Sequence, residues 1–359
     1  MRSAVFHGRE NIQVDEIAEP VVERDSVLID VTAAGICGSD LHEYAAGPIF
    51  IPGDAPHPVT GETAPVSMGH EFGGEVIEIG DDVEDIAVGD TVTVNPILYC
   101  GECRYCEDGS YHLCESGGFI GLSGGGGGFS EQIAVSSEQA IPVPDDVPAE
   151  YAALVEPFSV GLHAVRNAAF SAGDSVAVYG TGPIGLTVIQ AAKAAGANPV
   201  YAVEPQDARR ELAAEVGADM TFNPIDTDAP EAIIEQSDGG VDATFEVAGI
   251  EQTVRDAIRS VKNDGSVTIV SIFEERIEIE PNEIVLGERT VSGTLAYEGG
   301  PNSDVEFGAV IDMFADGTLD PEPLITSRIG LEEIVDGFET LLGGEHDEIK
   351  IIVEPYSSH

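Results

Sequence analysis

A glycine-rich turn between two apolar segments is the feature that most constrains the fold. The stretch SVAVYGTGPIGLTVIQ places three glycines after a short β-branched run and before a helical pattern. A strand, a turn, a helix and a second strand within about 30 residues are typical of a βαβ unit. Short apolar strands continue to alternate with helical segments up to about residue 296. We therefore predict an α/β domain with a doubly wound parallel sheet over residues 154–296.

The spacing of the glycines is that of a dinucleotide-binding turn. Gly180 allows the tight turn, Gly182 lets backbone amides approach a pyrophosphate, and Gly185 permits close helix–strand packing. Glu204 ends the second strand, where a carboxylate binds ribose hydroxyls and repels a 2′-phosphate, so we expect NAD rather than NADP. Arg209 weakens this preference, because an arginine there can hold a phosphate. The predicted cofactor-binding residues are Gly180, Gly182, Pro183, Ile184, Gly185, Glu204 and Arg209. A glycine turn in a nucleotide-free domain is the alternative.

The first 150 residues are β-rich, unlike the region that follows. Predicted strands span 26–37, 71–80, 90–98 and 129–137, separated by turns with Gly and Asp. The Pro- and Gly-rich segment 47–66 predicts an irregular loop, and we expect it to line the substrate pocket. The glycine run 121–129 predicts a flexible loop, with close backbone approach to a ligand as the alternative. We place a first domain at residues 1–153, to which 297–359 return through a strand at 348–355.

Acidic residues dominate the charge of the chain. There are 66 Asp and Glu against 15 Lys and Arg, for a formal net charge of −51. They are spread among apolar segments, which indicates a folded protein with an acidic surface rather than one acidic tail. Such a surface repels phosphates, so no nucleic-acid partner is expected. The composition resembles that of proteins from salt-loving archaea, and we expect the protein to lose activity or unfold as salt is removed.

Hydropathy gives no indication of a membrane protein. No run approaches the roughly 18 apolar residues of a membrane helix. The N-terminal sequence MRSAVFHGRENIQ turns polar early and lacks the apolar core of a signal peptide. The length of 359 residues, 43% of them hydrophobic, suits two domains of moderate size. We expect a cytoplasmic protein without a membrane partner.

Four of the five cysteines lie close together in CGECRYCEDGSYHLC. Their CxxCxxCx7C spacing predicts four thiolates on one tetrahedral zinc, formed by Cys100, Cys103, Cys106 and Cys114. Four thiolates fill the coordination sphere, so such a zinc is structural. Disulfides, which a reducing cytosol disfavours, and an iron–sulfur cluster are the alternatives.

The fifth cysteine, Cys37, lies in GICGSDLHE, and His70 and Glu71 follow in MGHEF. A single cysteine is most often a small buried hydrophobic residue, and a single histidine is usually structural. Several polar side chains close to Cys37, among them Ser39, Asp40 and His42, favour a functional interpretation instead.

In these motifs the chain resembles the zinc-dependent medium-chain alcohol and polyol dehydrogenases. The resemblance covers nearly the whole length, through GICGSDLH, GHEFGGEV, the four-cysteine segment, the Glu156–Pro157 pair and GTGPIGL in the family's order. Within the family it is most similar to the sorbitol dehydrogenase branch, and there to (R,R)-2,3-butanediol dehydrogenases. The segments HEYAAGPIFIP, HPVTGETAPVSMGHEF and GFIGLSGGGGGFSE carry this finer similarity.

The resemblance implies a GroES-like β-rich catalytic domain joined to a Rossmann domain, with two zinc ions per chain. It implies that Cys37 and His70 bind the catalytic zinc. Where classical alcohol dehydrogenases have a second cysteine this chain has Glu156, which is expected as the third ligand, directly or through water. Glu71 is a second acidic candidate.

The resemblance also implies the chemistry. Zinc stabilises the alkoxide of a bound alcohol, and hydride passes to NAD. Ser39 and His42 are expected to carry the proton away, and Asp40 to fix the tautomer of His70. The expected substrate is a secondary alcohol or vicinal diol, with 2,3-butanediol favoured, and the expected assembly is a homo-oligomer, either a dimer or a tetramer.

Several alternatives to this function remain open. They are an enzyme of the same branch acting on sorbitol, xylitol, threonine or a sugar, a non-catalytic NAD-binding protein and, less favoured, a zinc-stabilised interaction module. Loss of Cys37, His70 or Glu156 would indicate a non-catalytic protein, and all three are present.

Overall fold

A computed structural model describes residues 1–343 and 347–357. The chain divides into two compact units, and each is described by itself. Unit 1 comprises Met1–Glu156, Tyr297–Asp316 and the chain from Ile325 onward, and unit 2 comprises Pro157–Ala296 and Gly317–Leu324. Among the described residues, no helix combines the length and the apolar character needed to cross a lipid bilayer.

Strands are found throughout the described chain. They are β1 (Arg2–Gly8), β2 (Asn11–Glu16), β3 (Ser26–Gly35), β4 (Val66–Ser67), β5 (Glu71–Ile79), β6 (Thr91–Val94), β7 (Ile97–Leu98), β8 (Gly118–Phe119), β9 (Gln132–Ser136), β10 (Ala140–Pro142), β11 (Val176–Tyr179), β12 (Val200–Val203), β13 (Met220–Phe222), β14 (Val241–Glu246), β15 (Val261–Ile269), β16 (Thr290–Gly293), β17 (Ile325–Gly330) and β18 (Lys350–Glu354).

The α-helices are α1 (Gly38–Ala46), α2 (Arg104–Glu107), α3 (Val155–Asn167), α4 (Pro183–Ala194), α5 (Asp207–Glu215), α6 (Ala229–Gln236), α7 (Glu251–Ser260), α8 (Pro281–Val285), α9 (Asp304–Ala315) and α10 (Ile334–Leu342). Short 3₁₀ turns span Tyr111–Leu113, Ser137–Gln139, Ala149–Leu154, Gly300–Asn302, Glu322–Leu324 and Leu331–Glu333.

Unit 2 contains a parallel sheet. Its strand order is β13-β12-β11-β14-β15-β16, and every pairing is parallel. Numbered within the sheet this order is 3-2-1-4-5-6, which is the Rossmann arrangement. The central strand β11 is buried along its whole length, as expected for a strand covered on both faces. The predicted α/β fold with a doubly wound parallel sheet is therefore confirmed.

Unit 1 is organised around the long strand β3. The strand order in its main sheet is β10-β6-β5-β3-β18-β17, and β9 also pairs with β3. The C-terminal strand β18 thus lies beside β3, although more than 300 residues separate the two in sequence. Apolar side chains such as Ile29, Phe72 and Val353 are fully buried in the core formed by these strands.

Two local features of unit 1 differ from the sequence expectation. Segment 90–98 is interrupted between β6 and β7, because Pro96 has no N–H to donate and the side chain of Asn95 accepts the N–H of Ile97 at 3.1 Å. The glycine run is packed rather than a flexible surface loop. Its residue Gly128 donates to the carbonyl of Gly69 at 2.7 Å, and most of the segment is buried.

Candidate active site

Strand pairing in unit 1 brings reactive side chains to one end of β3. Gly35, the last residue of β3, lies opposite Glu71, the first residue of β5. Cys37 follows β3 by two residues, and His70 immediately precedes β5. Lys350 begins β18 on the other side of β3. Residues from three distant parts of the sequence therefore meet because of the strand register.

Cys37, His70 and Glu71 form a compact group that could hold a metal ion. One ligand atom from each lies within 4.8 Å of the others. Asp40, which is fully buried, supports two of these residues. Its Oδ2 accepts the backbone N–H of Cys37 at 3.0 Å, as a residue of the first helical turn does for an N-cap. Its Oδ1 lies 3.3 Å from Nδ1 of His70. This contact leaves Nε2 as the ring nitrogen that can face a metal.

The electrostatic environment of this group favours a bound cation. Burial raises the pKa of the Cys37 thiol, and the carboxylate of Glu71 raises it further. The pKa of His70 is raised well above its usual value; burial opposes this, but the charges of Asp40 and Cys37 outweigh it. The buried carboxylates of Asp40 and Glu71 lie close to the thiol, and among the described residues a buried lysine, Lys350, pairs only with Glu71, so a divalent cation would relieve the repulsion that remains.

Ser39 and His42 lie on α1 next to the group. The hydroxyl of Ser39 is 3.1 Å from Nε2 of His70. His42 is half-buried and follows Ser39 by three residues, so both lie on the same side of the helix. The structure thus brings Ser39 against the His70 ring and places His42 about one turn further along α1.

A lysine that the sequence analysis did not single out neutralises Glu71. The ammonium of Lys350 donates to both carboxylate oxygens of Glu71, at 2.8 and 2.6 Å, and to the carbonyl of Ile36 at 3.0 Å. A Cβ on Gly35 would lie 2.2 Å from Glu71 Oε2, so this close approach requires glycine. The available signal was a single lysine inside the apolar segment IKIIV of a chain poor in lysine.

Glu156, the second residue of α3, is 5% exposed and accepts a hydrogen bond of 2.6 Å from the hydroxyl of Tyr297. Burial raises the pKa of Glu156 to about 7, and the charge of Glu71 adds to the effect. In the described part of the chain, Glu156 is outside the compact group of Cys37, His70 and Glu71. Tyr297 was not foreseen; it is fully buried and follows the Rossmann region directly.

The four remaining cysteines form a second group. Cys103 Sγ lies 3.6 Å from Cys106 Sγ and 3.9 Å from Cys114 Sγ, and Cys114 Sγ lies 3.5 Å from Cys100 Sγ. Sulfurs at 2.3 Å from a tetrahedral zinc are about 3.8 Å apart, so the group fits one zinc ion. The cysteines are free, which excludes the disulfide alternative.

Backbone amides stabilise charge on these sulfurs. Cys114 Sγ accepts the N–H of Cys100 at 3.2 Å and of Ser116 at 3.4 Å. Hydrogen bonding from the backbone, from Glu115 foremost, lowers the pKa of the Cys103 thiol to about 6. Burial acts the other way on two of the sulfurs, because it raises the pKa of Cys106 and raises that of Cys114 to about 12. Thiolates are the form that binds zinc, so a bound zinc would offset this cost of burial.

The glycine turn of unit 2 lies between β11 and α4. Gly180 has φ +97°, and Gly182 is the N-cap of α4, so Pro183, Ile184 and Gly185 form its first turn. Glu204 is buried and accepts the backbone N–H of Thr181 at 3.0 Å. The carboxylate predicted to bind ribose therefore also fixes the turn. Nε of Arg209 is buried, and no partner for it is found among the described residues.

Two family models match the chain. Residues 23–145 match the alcohol dehydrogenase GroES-like domain, and residues 183–316 match the zinc-binding dehydrogenase domain. The first match lies within unit 1, which contains the group of Cys37, His70 and Glu71 and the four-cysteine group. The second match begins at the first residue of α4.

Full-length relatives define the family. The chain is 47% identical to the (R,R)-butanediol dehydrogenase of Bacillus subtilis, over 99% of this chain and all of that protein. The crystal structure of 2R,3R-butanediol dehydrogenase from the same organism superposes with a TM-score of 0.92 and covers 99% of both chains. The sorbitol dehydrogenase of Bacillus subtilis is 34% identical over 99% of this chain and 97% of that protein.

The chain belongs to the zinc-binding medium-chain dehydrogenases. It is therefore an oxidoreductase with a GroES-like domain and a Rossmann domain, and its cofactors include zinc. Both the expected fold and the expected enzyme class are confirmed.

Proposed function

We propose that the protein catalyses the reversible, NAD- and zinc-dependent oxidation of a vicinal diol to a hydroxyketone, with (R,R)-2,3-butanediol and acetoin as the pair. The observation that carries the proposal is the compact group of Cys37, His70 and Glu71 beside Ser39. It occurs in a chain that is 47% identical over its length to a butanediol dehydrogenase. The substrate partner is thus a small alcohol.

Cys37, His70 and Glu156 would hold the catalytic zinc, with Glu71 as a further acidic candidate. When bound, zinc acts as a Lewis acid that lowers the pKa of an alcohol. A thiolate, an imidazole and a carboxylate leave one of four positions open for substrate. Cys100, Cys103, Cys106 and Cys114 would hold a second, structural zinc, because four thiolates leave no open position.

The side chains of α1 would handle the proton. Ser39 would take the proton from the alcohol oxygen, and His42 would receive it next. Asp40 would keep the ring of His70 in one tautomer, because its Oδ1 lies 3.3 Å from Nδ1 of that ring. A diol suits this arrangement, because its second hydroxyl has an acid such as Glu156 to bond.

The cofactor would bind at the glycine turn of unit 2. Gly180, Gly182, Pro183, Ile184 and Gly185 would surround the pyrophosphate at the N-terminus of α4. Glu204 would bond the adenosine ribose and disfavour NADP. Arg209, five residues further along the chain, would contact the same end of the cofactor.

We also propose a cellular setting. The net charge of −51 fits a protein of a halophile, acting in a salt-rich cytoplasm. Residues 1–153 with 297–359 would form the catalytic domain and 154–296 the cofactor domain of each subunit in a dimer or tetramer.

Steady-state assays in molar salt test the function. NAD reduction is followed with the three stereoisomers of 2,3-butanediol, sorbitol, xylitol, L-threonine and glucose. We expect the highest kcat/KM for (R,R)-2,3-butanediol and no turnover in the Cys37→Ser variant. Faster turnover of sorbitol would reassign the substrate, and no turnover of any alcohol, with NAD still bound, would indicate a non-catalytic protein.

A further inference from the structure

Glu43 of α1 has a buried carboxylate that the proposed reaction does not use. The residue is 0% exposed. Its carboxylate accepts the backbone N–H of Ile49 at 2.9 Å and of Ile51 at 3.1 Å, and a shorter hydrogen bond from Phe50. A buried carboxylate is stabilised by donors of this kind. If segment 49–51 moved away, the buried carboxylate of Glu43 would lose its three backbone donors.

The other half of the same loop is held by the glycine run. Thr60 donates its hydroxyl to the carbonyl of Ser123 at 2.8 Å. The carboxylate of Glu62 accepts the N–H of Gly125 at 3.1 Å. Hydrogen bonds thus attach both halves of the loop 47–66 to other parts of unit 1.

Both attachment points adjoin the metal-ligand group. On α1, Ser39 precedes Glu43 by four residues, a rise of about 6 Å along the helix. On the other side, Phe119, next to the glycine run, has its ring centroid 6.4 Å from that of His70. Of the two elements that anchor the loop, α1 contains Ser39, and the glycine run bonds Gly69, the residue before His70, through the N–H of Gly128 at 2.7 Å.

The anchored segment presents apolar side chains outward. Ile49 is 52% exposed and Phe50 is 38% exposed, whereas Ile51 is 2% exposed and packs in the core. Ile49 and Phe50 form a small exposed apolar pair, and such a pair suits a ligand with short hydrocarbon groups. The carboxylate of Glu43 fixes the backbone from which these two side chains project.

Building on the proposed function, we propose that Glu43 is a positioning residue for substrate selection. It holds the segment Ile49–Ile51 so that Ile49 and Phe50 contact the alkyl ends of a small diol. The carboxylate itself does not touch substrate; it acts through the three amides.

Hydrogen exchange tests the anchoring without relying on activity. Glu43→Gln keeps the side-chain size but replaces one acceptor oxygen with a donor. We expect amide exchange in peptides covering 49–51 to accelerate about tenfold or more. Glu84→Gln, an exposed position in unit 1, removes the same charge and serves as the control. Unchanged exchange in Glu43→Gln with a native spectrum would overturn the inference.

Kinetics test the effect on selection. We expect Glu43→Gln and Ile49→Ala to raise KM for (R,R)-2,3-butanediol about 5- to 20-fold, with kcat within about threefold and zinc content unchanged. Glu43→Asp, which keeps the charge, should give an intermediate value and covers the case in which Glu43→Gln does not fold. An unchanged KM for Ile49→Ala would overturn the role in selection. Failure of the diol assay in the unmodified protein would instead defeat the proposed function and leave the exchange result standing.

Discussion

The ammonium group of Lys350 contacts both carboxylate oxygens of Glu71, at 2.8 and 2.6 Å, in a place where neither side chain is exposed. Two opposite charges removed from water stabilise a fold only as a pair. Because Glu71 adjoins Cys37 and His70, the lysine also reduces the negative charge next to the metal-ligand group. Lys350 therefore connects the C-terminal strand with the proposed active site.

Lys350→Met should strongly destabilise the protein. It leaves the charge of Glu71 buried without a partner, and we expect a loss of about 3–5 kcal/mol in the free energy of unfolding. Urea denaturation in molar salt measures the loss. The double variant Lys350→Met with Glu71→Gln removes both charges and should recover most of the stability. A double variant as unstable as the single one would contradict the assignment of the cost to the unpaired charge.

Tyr297→Phe should show what the orientation of the Glu156 carboxylate contributes, because the carboxylate itself stays in place. The variant removes the 2.6 Å hydrogen bond to Glu156, and we expect kcat to fall about tenfold with zinc retained. If Glu156 is a zinc ligand as proposed, Glu156→Gln should lower the zinc content as well, since it removes the negative charge of the side chain. Tyr356→Phe is the control, because that exposed hydroxyl bonds Asp30 instead. Equal effects of Tyr297→Phe and Tyr356→Phe would argue against the orienting role.

The four-cysteine group should bind a zinc that is separate from catalysis. Cys103→Ser is expected to lower the zinc content from about two ions to about one per chain and to reduce thermal stability. Cys37→Ser should also lose one zinc but abolish turnover while changing stability less. Metal analysis and differential scanning calorimetry on both variants give the comparison. Two zinc ions retained in Cys103→Ser would contradict the site.

Salt should stabilise the protein by screening. At a net charge of −51 the folded state repels itself, and raising the salt from 0.1 to 1 M shortens the screening length from about 10 to about 3 Å. We expect the melting temperature to rise steeply over this range in KCl. Sucrose at matched water activity serves as the control for preferential exclusion, and an equal rise in sucrose would count against electrostatic screening.

Asp219 should give unit 2 an acid-sensitive contribution to stability. Burial opposes ionisation, but the backbone N–H of Val200 and the ammonium of Lys193 outweigh it and lower the pKa of Asp219. The pKa of Asp219 is lower in the folded state than its value of 3.8 in the unfolded chain, so its ionisation stabilises the fold at any pH above 3.8. This contribution to stability is lost as the pH falls through the pKa of the folded state.

The measurement is the difference in free energy of unfolding between the unmodified protein and Asp219→Asn. We expect about 1 kcal/mol at pH 7, kept small because the side chain is 39% exposed, and a decline below about pH 4. Asp226→Asn, at an exposed loop position, is the control. A difference that grows on acidification would have the wrong sign.

The sequence by itself determined the parts whose chemistry is local. The turn from Gly180 to Gly185 requires its own glycines, and the spacing of Cys100 to Cys114 allows four sulfurs to converge within one short loop. For the same reason Asp40 could be assigned to the neighbourhood of Cys37, three residues away. The βαβ alternation likewise follows from short-range periodicity, which a reader of the sequence can count.

Tertiary structure decided every contact that depends on strand register. Lys350 reaches Glu71 only because β18 and β5 lie on opposite sides of β3, a pairing over 279 residues that no local pattern specifies. Tyr297 donates a hydrogen bond to Glu156, from which 141 residues separate it in sequence. The carboxylate of Glu43 shows its role only when the loop folds back onto α1. Such contacts form because whole sheets become buried. The free energy of that burial comes from many residues, and no single segment of the sequence specifies it.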